Sequence, residues 1–235
     1  MTEKEHAYCM PSTLVLVAAL NEEKGIKLTL NELRKYVPNS RFIVVDGNSS
    51  DQTVHVAKNL GADVLFQEGK GKGDAINFAL QSIADDFEYV VLIDADYTYP
   101  GLYVPRMISM LEENQQLGMV CGNRFNSHFH PEWMSNLFYV GNRMLALTHN
   151  LFNGVDMRDP LTGLRVLRWQ ILKKWLPRSK GFDIEAELNY YVERMGFGIK
   201  EIDIEYRPRV GENKLKLRHG FQILKRMIVD VNFSI

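Results

Sequence analysis

Two carboxylates, Asp94 and Asp96, stand one alanine apart where the apolar run of "VVLIDADYTYP" ends. In an extended segment residues two apart point to the same side, so the pair converges on one ligand wherever the strand geometry persists through Asp96. Converging carboxylates repel each other unless a cation lies between them or one is protonated. Hard oxygen donors favour magnesium or manganese, ions that keep several waters and bind substrate phosphates as well. Such a pair arises often by chance; its place directly after an apolar strand, downstream of a second run ending in "VVDGNSSDQT", gives it weight. Asp46, at the end of that second run, is placed to meet a nucleobase or ribose. Arg207, Arg209, Lys214, Lys216 and Arg218 crowd the segment "YRPRVGENKLKLRHG", which suits either phosphate binding or a solvated basic face.

The elements that position these groups follow from periodicity. "TLVLVAAL" (13–20) reads as a buried strand, and Ile26, Leu30 and Leu33 give the stretch from Asn21 to about Tyr36 helical spacing. "RFIVVDG" (41–47) is a second strand, and "SSDQTVHVAKNLG" a helix with N-cap residues before it and a glycine stop after it. "ADVLFQ" (62–67), a glycine-rich turn, the helical "DAINFALQSIADD" and the strand "EYVVLIDAD" continue the alternation. Strand, helix, strand, helix in this order implies parallel pairing through right-handed crossovers, hence a single Rossmann-like α/β domain with a mostly parallel sheet flanked by helices. Ligands in such sheets sit at the carboxyl ends of the strands. There the apolar runs stop in Asn21 and Glu22, in Asp46, in Gln67 and Glu68, and in Asp94 and Asp96.

Composition bounds the function. With 235 residues, 46% of them hydrophobic, the chain can bury one sizeable core, and a net charge of −1 excludes a globally basic nucleic-acid binder. Cys9 and Cys121 lie far apart without a CxxC, which excludes a disulfide framework and a zinc knuckle. "GKGDAI" is not a P-loop, and His128 and His130 read as a polar loop rather than metal ligands. The N-terminus lacks the apolar core of a signal peptide, and no run reaches the ~20 apolar residues that span a bilayer, so a soluble or membrane-surface protein is expected. Residues 1–12 read as a flexible N-terminus, 13–217 as the α/β domain and 218–235 as an amphipathic helix, which lies on anionic lipid or packs on the sheet. The apolar, aromatic stretch 132–154 is interrupted by Asn136, Asn142 and Arg143, and reads as an interfacial or acceptor-facing helix.

"VAALNEEKGI", "VVDGNSSDQT", "GKGDAI", "DADYTYP" and "DPLTGLRVL", in this order, resemble family 2 glycosyltransferases of the GT-A fold, and most closely the dolichyl- or polyprenyl-phosphate sugar synthases such as the mannosyl type. The resemblance spans about residues 13–217. It implies that Ala19, Asn21 and Glu22 border the nucleotide, that Asp46 contacts the base with Ser49 beside it, and that the loop carrying Lys72 and Gly73 passes close to the nucleotide. Asp94 and Asp96 match the metal-binding pair, with Ala95 between them on the donor and Asp96 the favoured ligand of a magnesium or manganese ion. Thr98 departs from the glutamine that mannosyl members often carry at that position. Arg124 matches a basic position near the acceptor phosphate; Asp159, Thr162 and Gly163 match the acceptor side. Glu185, with Asp183 close behind, matches the acid facing the sugar, and Arg209 and Lys214 match the basic loop that closes over the site.

The implied reaction is an inverting single displacement that moves a hexose from a UDP- or GDP-sugar to a polyprenyl phosphate at the cytoplasmic face of a membrane. A phosphate monoester, with a second pKa of about 6, is a competent nucleophile at neutral pH, so the demand falls on cations, met by Arg124, Arg209 and Lys214. A saccharide or small-molecule hydroxyl acceptor would instead require Glu185 or Asp183 as base. A nucleotidyltransferase shares this sheet type, but its glycine-rich signature near the first strand is missing. The donor sugar stays open between mannose, glucose and N-acetylglucosamine.

Overall fold

The computed structural model describes residues 11–125, 137–154, 156–212, 214 and 217–229. The elements run β1 (Thr13–Ala19), α1 (Glu23–Tyr36), β2 (Arg41–Asp46), α2 (Thr53–Asn59), β3 (Asp63–Phe66), α3 (Lys72–Ser82) and β4 (Tyr89–Asp94). They continue with α4 (Val104–Glu113), β5 (Leu117–Asn123), α5 (Leu137–Asn153), β6 (Arg165–Arg168), the single turn α6 (Trp169–Leu172), α7 (Ile184–Arg194), β7 (Gly198–Asp203) and α8 (Leu217–Val229). The sheet has the order β3-β2-β1-β4-β6-β5-β7. Only β6 runs antiparallel to its neighbours β4 and β5. The expected mostly parallel α/β domain is what forms, because the strands are apolar on both faces and helices cover both. Val91 and Ile93 of β4 pack with Ile26, Leu30 and Leu33 of α1; Val90 and Leu92 pack with Ala75, Ile76 and Ala79 of α3 on the other side.

Register sets the functional rim. Ala19 pairs with Asp46 across β1 and β2, and Ala18 with Asp94 across β1 and β4. Three neighbouring strands therefore end level with one another, and their terminal groups share one edge of the sheet. Two helices differ in extent from their sequence patterns. The first turn of α2 waits until Thr53, whose N–H donates to the Asp51 carboxylate at 2.9 Å, while Gly61 with φ +70° ends it as expected. Helix α3 stops at Ser82 rather than running through Asp86, since Ile83 turns inward and acids at a helix C-terminus oppose its dipole. Those acids are used elsewhere: Asp85 pairs with Arg41, and Asp86 accepts from Trp169 Nε1 at 3.2 Å and Lys173 Nζ at 2.6 Å.

The C-terminal helix packs on helices, not on the sheet. Ile223 and Met227 of α8 bury against Ala186 of α7 and Leu145 of α5, and Arg226 pairs with Asp183 at 3.1 Å. His128, His130 and the start of the 132–154 stretch lie outside the described residues, as do Cys9 and most of the 1–12 segment. Cys121 is buried in β5, where burial pushes its thiol up to about 12, so it is a packing residue.

A polar cluster fixes α5 to this frame. Arg165, 1% exposed, donates to the carbonyls of Thr162 at 2.9 Å and Pro160 at 2.7 Å and to Asn189 Oδ1, while Asn189 Nδ2 sits 3.3 Å from His149 Nε2 of α5. Burial, and then the Arg165 charge, lower the His149 pKa to about 3. Protonation of His149 thus favours the unfolded chain: its contribution is complete above the ordinary value of 6.5 and is lost as pH falls through 6.5 toward 3. Between pH 6.5 and 5, where carboxylates remain ionised, we expect the unfolding free energy of the wild type to fall about 1 kcal/mol per pH unit more steeply than that of His149→Gln. Urea titrations at stepped pH check this, and parallel slopes would contradict it.

Candidate active site

A cavity of about 1100 Å³ opens at the carboxyl ends of β1 and β4, walled by Ala18, Ala19 and Glu22 on one side and by Asp94, Ala95 and Asp96 on the other. Strand β4 ends at Asp94, and Ala95 and Asp96 form a turn, followed by Tyr97 at φ +66°. The extended geometry that would aim both carboxylates at one point does not persist. Helix α1 dictates this turn: a Cβ on Gly25 would lie 2.5 Å from the Ala95 carbonyl oxygen and 2.8 Å from Asp96 Cα, so only a glycine lets the helix approach. Thr98, fully buried, donates its hydroxyl to Asp96 Oδ1 at 2.6 Å and its N–H to the same atom at 3.1 Å. The residue that departs from the mannosyl pattern therefore orients the second acid.

Each acid has its own cation. Lys72 Nζ lies 2.5 Å from Asp94 Oδ1 and 2.6 Å from Glu185 Oε1. Arg209 Nη1 lies 2.6 Å from Asp96 Oδ2, its Nη2 pairs with Glu22, and Lys214 Nζ reaches Glu22 Oε1 at 2.6 Å and the Asn21 carbonyl at 3.0 Å. Burial works to raise the Asp94 pKa, but the Lys72 charge and hydrogen bond outweigh it and hold the group below the usual carboxylate range. Asp96 is pushed up by burial and then by the Asp94 charge, against the pull of Thr98 and Arg209. Glu22 is likewise raised by burial, which exceeds the effect of Lys214 and Arg209. Burial thus makes Asp96 and Glu22 costly to keep ionised.

A hard divalent cation beside Asp96 would offset that cost. Among the described residues no group of three His, Cys, Asp or Glu side chains is gathered at metal-binding spacing. Asp94 and Asp96 could hold such an ion only without converging on one point, and a site with so few protein donors suits magnesium or manganese shared with a diphosphate and water rather than a closed structural site. Two further oxygens, Glu22 Oε2 and Glu185 Oε2, are buried without a hydrogen-bond partner at the cavity wall.

The glycine-rich loop contributes differently from a phosphate cradle. Gly69, Lys70, Gly71 and Lys72 line the cavity, but the N–H groups of Gly73 and Asp74 donate to the carbonyls of Gly181 and Lys180, both at 3.2 Å. A Cβ on Gly71, at φ +95°, would come within 2.3 Å of the Lys180 carbonyl oxygen, and one on Gly73 within 2.2 Å of that of Ser179. These glycines let two backbones touch, and the side chain of Lys72 is what the start of α3 presents to the rim.

The residues read as the acceptor side mostly lie behind the wall. Arg124 lines the cavity but is locked to Asp159 by two hydrogen bonds of 2.7 Å, with the Arg124 N–H adding a third at 3.0 Å. Asp159 and Thr162 are fully buried and do not line the cavity. Gly163 donates its N–H to Tyr99 Oη at 2.7 Å, and a Cβ there would meet Asp94 Oδ2 at 2.1 Å. Asp183 is also off the cavity, accepting from Ser179 Oγ at 2.7 Å as well as from Arg226. Asn21, Asp46 and Ser49, read as bordering the nucleotide, are not among the residues lining the cavity: the Asn21 N–H donates to Ser49 Oγ at 2.9 Å, and Asp46 Oδ2 accepts the Ser49 N–H at 2.8 Å while its Oδ1 is buried without a partner among the described residues. Gly47, Asn48 and Gln67 continue the cavity on that side.

Sequence reasoning missed how the basic loop is held. Arg207 pairs with Glu32 of α1 at 2.5 Å and stacks 4.5 Å over the Tyr97 ring, while the N–H groups of Arg207 and Val210 donate to the carbonyls of Thr98 at 3.0 Å and Asp96 at 3.1 Å. It also missed Tyr99, Phe182, Tyr206 and Ile223 on the cavity wall. Aromatic spacing in "YTYP" is the one local signal; the others come from distant segments.

Known proteins place this arrangement. The family described as "Glycosyl transferase family 2" matches residues 14–176. A dolichyl-phosphate hexose transferase of Haloferax volcanii is 30% identical over 226 residues, covering 95% of both chains. A low-salt glycan biosynthesis hexosyltransferase of the same organism is 29% identical over 94% of this chain and 54% of its own length. In architecture the chain is similar to glucosyl-3-phosphoglycerate synthase from Mycobacterium tuberculosis, solved with Mn2+, UDP-glucose and phosphoglyceric acid, with a TM-score of 0.75, 21% identity and coverage of 96% and 81%. With the match over most of the sheet and whole-length identity to a hexose transferase, the chain belongs to glycosyl transferase family 2 and is a glycosyltransferase.

Proposed function

We propose that this glycosyltransferase moves a hexose from a UDP- or GDP-sugar to dolichyl phosphate or another polyprenyl phosphate, with inversion, and that the product feeds protein glycosylation or envelope glycan synthesis. The observation that carries the reading is the pair Arg209 and Lys214, both resting on Glu22 beside Asp96 at the strand-end rim. A donor diphosphate offers these cations the oxygens they now take from Glu22 and Asp96. A divalent cation bound there supplies positive charge to the departing nucleoside diphosphate. The whole-length likeness to a dolichyl-phosphate hexose transferase supports the acceptor class.

The placement of the acids supports a phosphate acceptor over a hydroxyl one. A hydroxyl acceptor needs a base at the cavity, but Asp183 is turned toward Ser179 and Arg226, which leaves only Glu185, itself paired through one oxygen with Lys72. An ionised phosphate monoester needs no proton removed. The chain's own task is then to orient: Asp96 is held by Thr98, Arg209 and Lys214 sit at the diphosphate, and the Arg124–Asp159 pair stiffens the far wall.

A lipid-linked acceptor requires approach to a membrane. Among the described residues no helix is long and apolar enough to cross one. Helix α5 instead turns Val140, Met144, Leu147 and Leu151 outward, Leu147 and Leu151 being 71% and 75% exposed, with Arg143 beside them and no acidic residue in the helix. Such a stripe suits the surface of an anionic bilayer, at the cytoplasmic leaflet where nucleotide-sugars are available.

Two experiments follow. Incubated with Mg2+ or Mn2+, UDP- and GDP-hexoses and dolichyl phosphate, the protein should yield lipid-linked hexose with release of nucleoside diphosphate, and Asp96→Asn should lower kcat/KM by about 100-fold or more. Transfer to a soluble hydroxyl acceptor alone would overturn the reading. In flotation with vesicles of phosphatidylglycerol, Leu147→Glu together with Leu151→Glu should reduce binding at least about tenfold, because each leucine loses roughly 1.5–3 kcal/mol of burial. Undiminished flotation would place the membrane contact elsewhere.

A further inference from the structure

We propose that Lys72 is a positioning residue of the transfer reaction, an internal cation that holds Asp94 and Glu185 in place and does not itself bind the donor phosphates. The inference rests on the reading of the cavity as the donor site and assigns this lysine a role opposite to the one its glycine-rich setting suggests.

Three rigid elements meet at one ammonium group. Lys72 leaves the first residue of α3, whose start is pinned by the N–H groups of Gly73 and Asp74 on the carbonyls of Gly181 and Lys180. Asp94 is the last residue of β4, and Glu185 lies in the first turn of α7. The Nζ atom lies 2.5 Å from Asp94 Oδ1 and 2.6 Å from Glu185 Oε1, and only 14% of the lysine side chain is exposed. Two carboxylates this close to one cation outweigh the cost of burying it, and its pKa is raised as a result. A lysine bound on two sides has one proton left for anything else.

The pairing distributes the acids between two tasks. With Asp94 paired to Lys72, Asp96 meets a different cation, Arg209. On the other side of the bridge Glu185 Oε2 is buried at the cavity wall without a partner, while its sister oxygen is fixed by Lys72. A hydroxyl of the transferred sugar is the donor that would complete it, and the lysine decides where that oxygen points. The diphosphate is left to Arg209 and Lys214, which rest on Glu22.

A phosphate-binding lysine and a positioning lysine respond in opposite ways to Lys72→Met. Binding of UDP and GDP with Mn2+, followed by titration calorimetry, needs no acceptor and no turnover. We expect the variant to bind the nucleotide within about threefold of the wild type while kcat for hexose transfer falls about 100-fold and donor KM changes little. A tenfold or greater loss of nucleotide affinity, or an unchanged kcat, would overturn the proposal. The variant leaves two carboxylates without their cation, so Lys72→Met combined with Glu185→Gln is the companion. It should melt above the single variant, bind nucleotide as the wild type does, and lose no more kcat than the single variant, because both changes break one bridge. A double variant that melts no higher, or whose losses simply add, also refutes the bridge. Wild-type protein that binds neither nucleotide overturns the donor reading itself, which the Lys72 variants do not test.

Discussion

Negative charge gathered at the ends of β1 and β4 has to be balanced within the protein, because Glu22, Asp96 and Glu185 are all buried and cannot rely on water. Level strand ends make the gathering unavoidable: the register that pairs Ala18 with Asp94 and Ala19 with Asp46 puts the terminal residues of three strands on one edge. The balance comes from two different segments. Lys72 arrives from the start of α3, Arg209 and Lys214 from the loop after β7. Each of these ion pairs is therefore also a tether between an element of the sheet and something beyond it. Buried pairs of this kind add little net stability over apolar packing, but removing one partner leaves a costly unpaired charge, so they fix geometry more than they strengthen the fold.

The loop after β7 illustrates how backbone and charge act together. Its N–H groups at Arg207 and Val210 dock on the carbonyls of Thr98 and Asp96, which sets its height above the turn, and Arg207 anchors it sideways on Glu32. Only then does Arg209 reach Asp96 and Glu22 at once. The turn it docks on is shaped in its own right by Gly25 of α1 and by Thr98. Helix α1, which contributes Glu32 and Gly25 from opposite ends of one stretch, thus shapes the site without lining it beyond the Glu22 that precedes it.

The first four strands and their shared rim were legible in the sequence, since a buried strand reads as an apolar run and its polar stop marks its carboxyl end, whereas β5, β6 and β7 were not read. The acids at that rim were legible for the same reason. Their partners were not. Asp96 meets a residue 113 positions away and Glu22 one 187 away, and no local period encodes such pairs. Arg124 reads as a free cation until the chain returns 35 residues later with Asp159. The extended geometry assumed for Asp94 and Asp96 failed at the point where α1 presses on the chain, and the close contact of the glycines beside Lys72 with 179–181 leaves no local trace.

The cavity has two chemical halves, and this division bears on the acceptor. Its floor at the strand ends carries Glu22, Asp94, Asp96 and their cations, while Phe125, Leu161, Phe182 and Ile223 supply an apolar wall. The apolar half lies where α8 packs on α5 and α7, the same packing that buries Met227 and Ala186. A ligand with a charged head and a hydrocarbon body satisfies both halves at once, whereas a polar saccharide would leave the apolar wall to water. Helix α5 joins the cavity to the outer surface, with Asn142 on the inner wall and Leu147 and Leu151 on the outside. One helix therefore faces both the cavity and the outer surface, so a lipid-linked phosphate arriving at that surface would meet the same helix at the cavity.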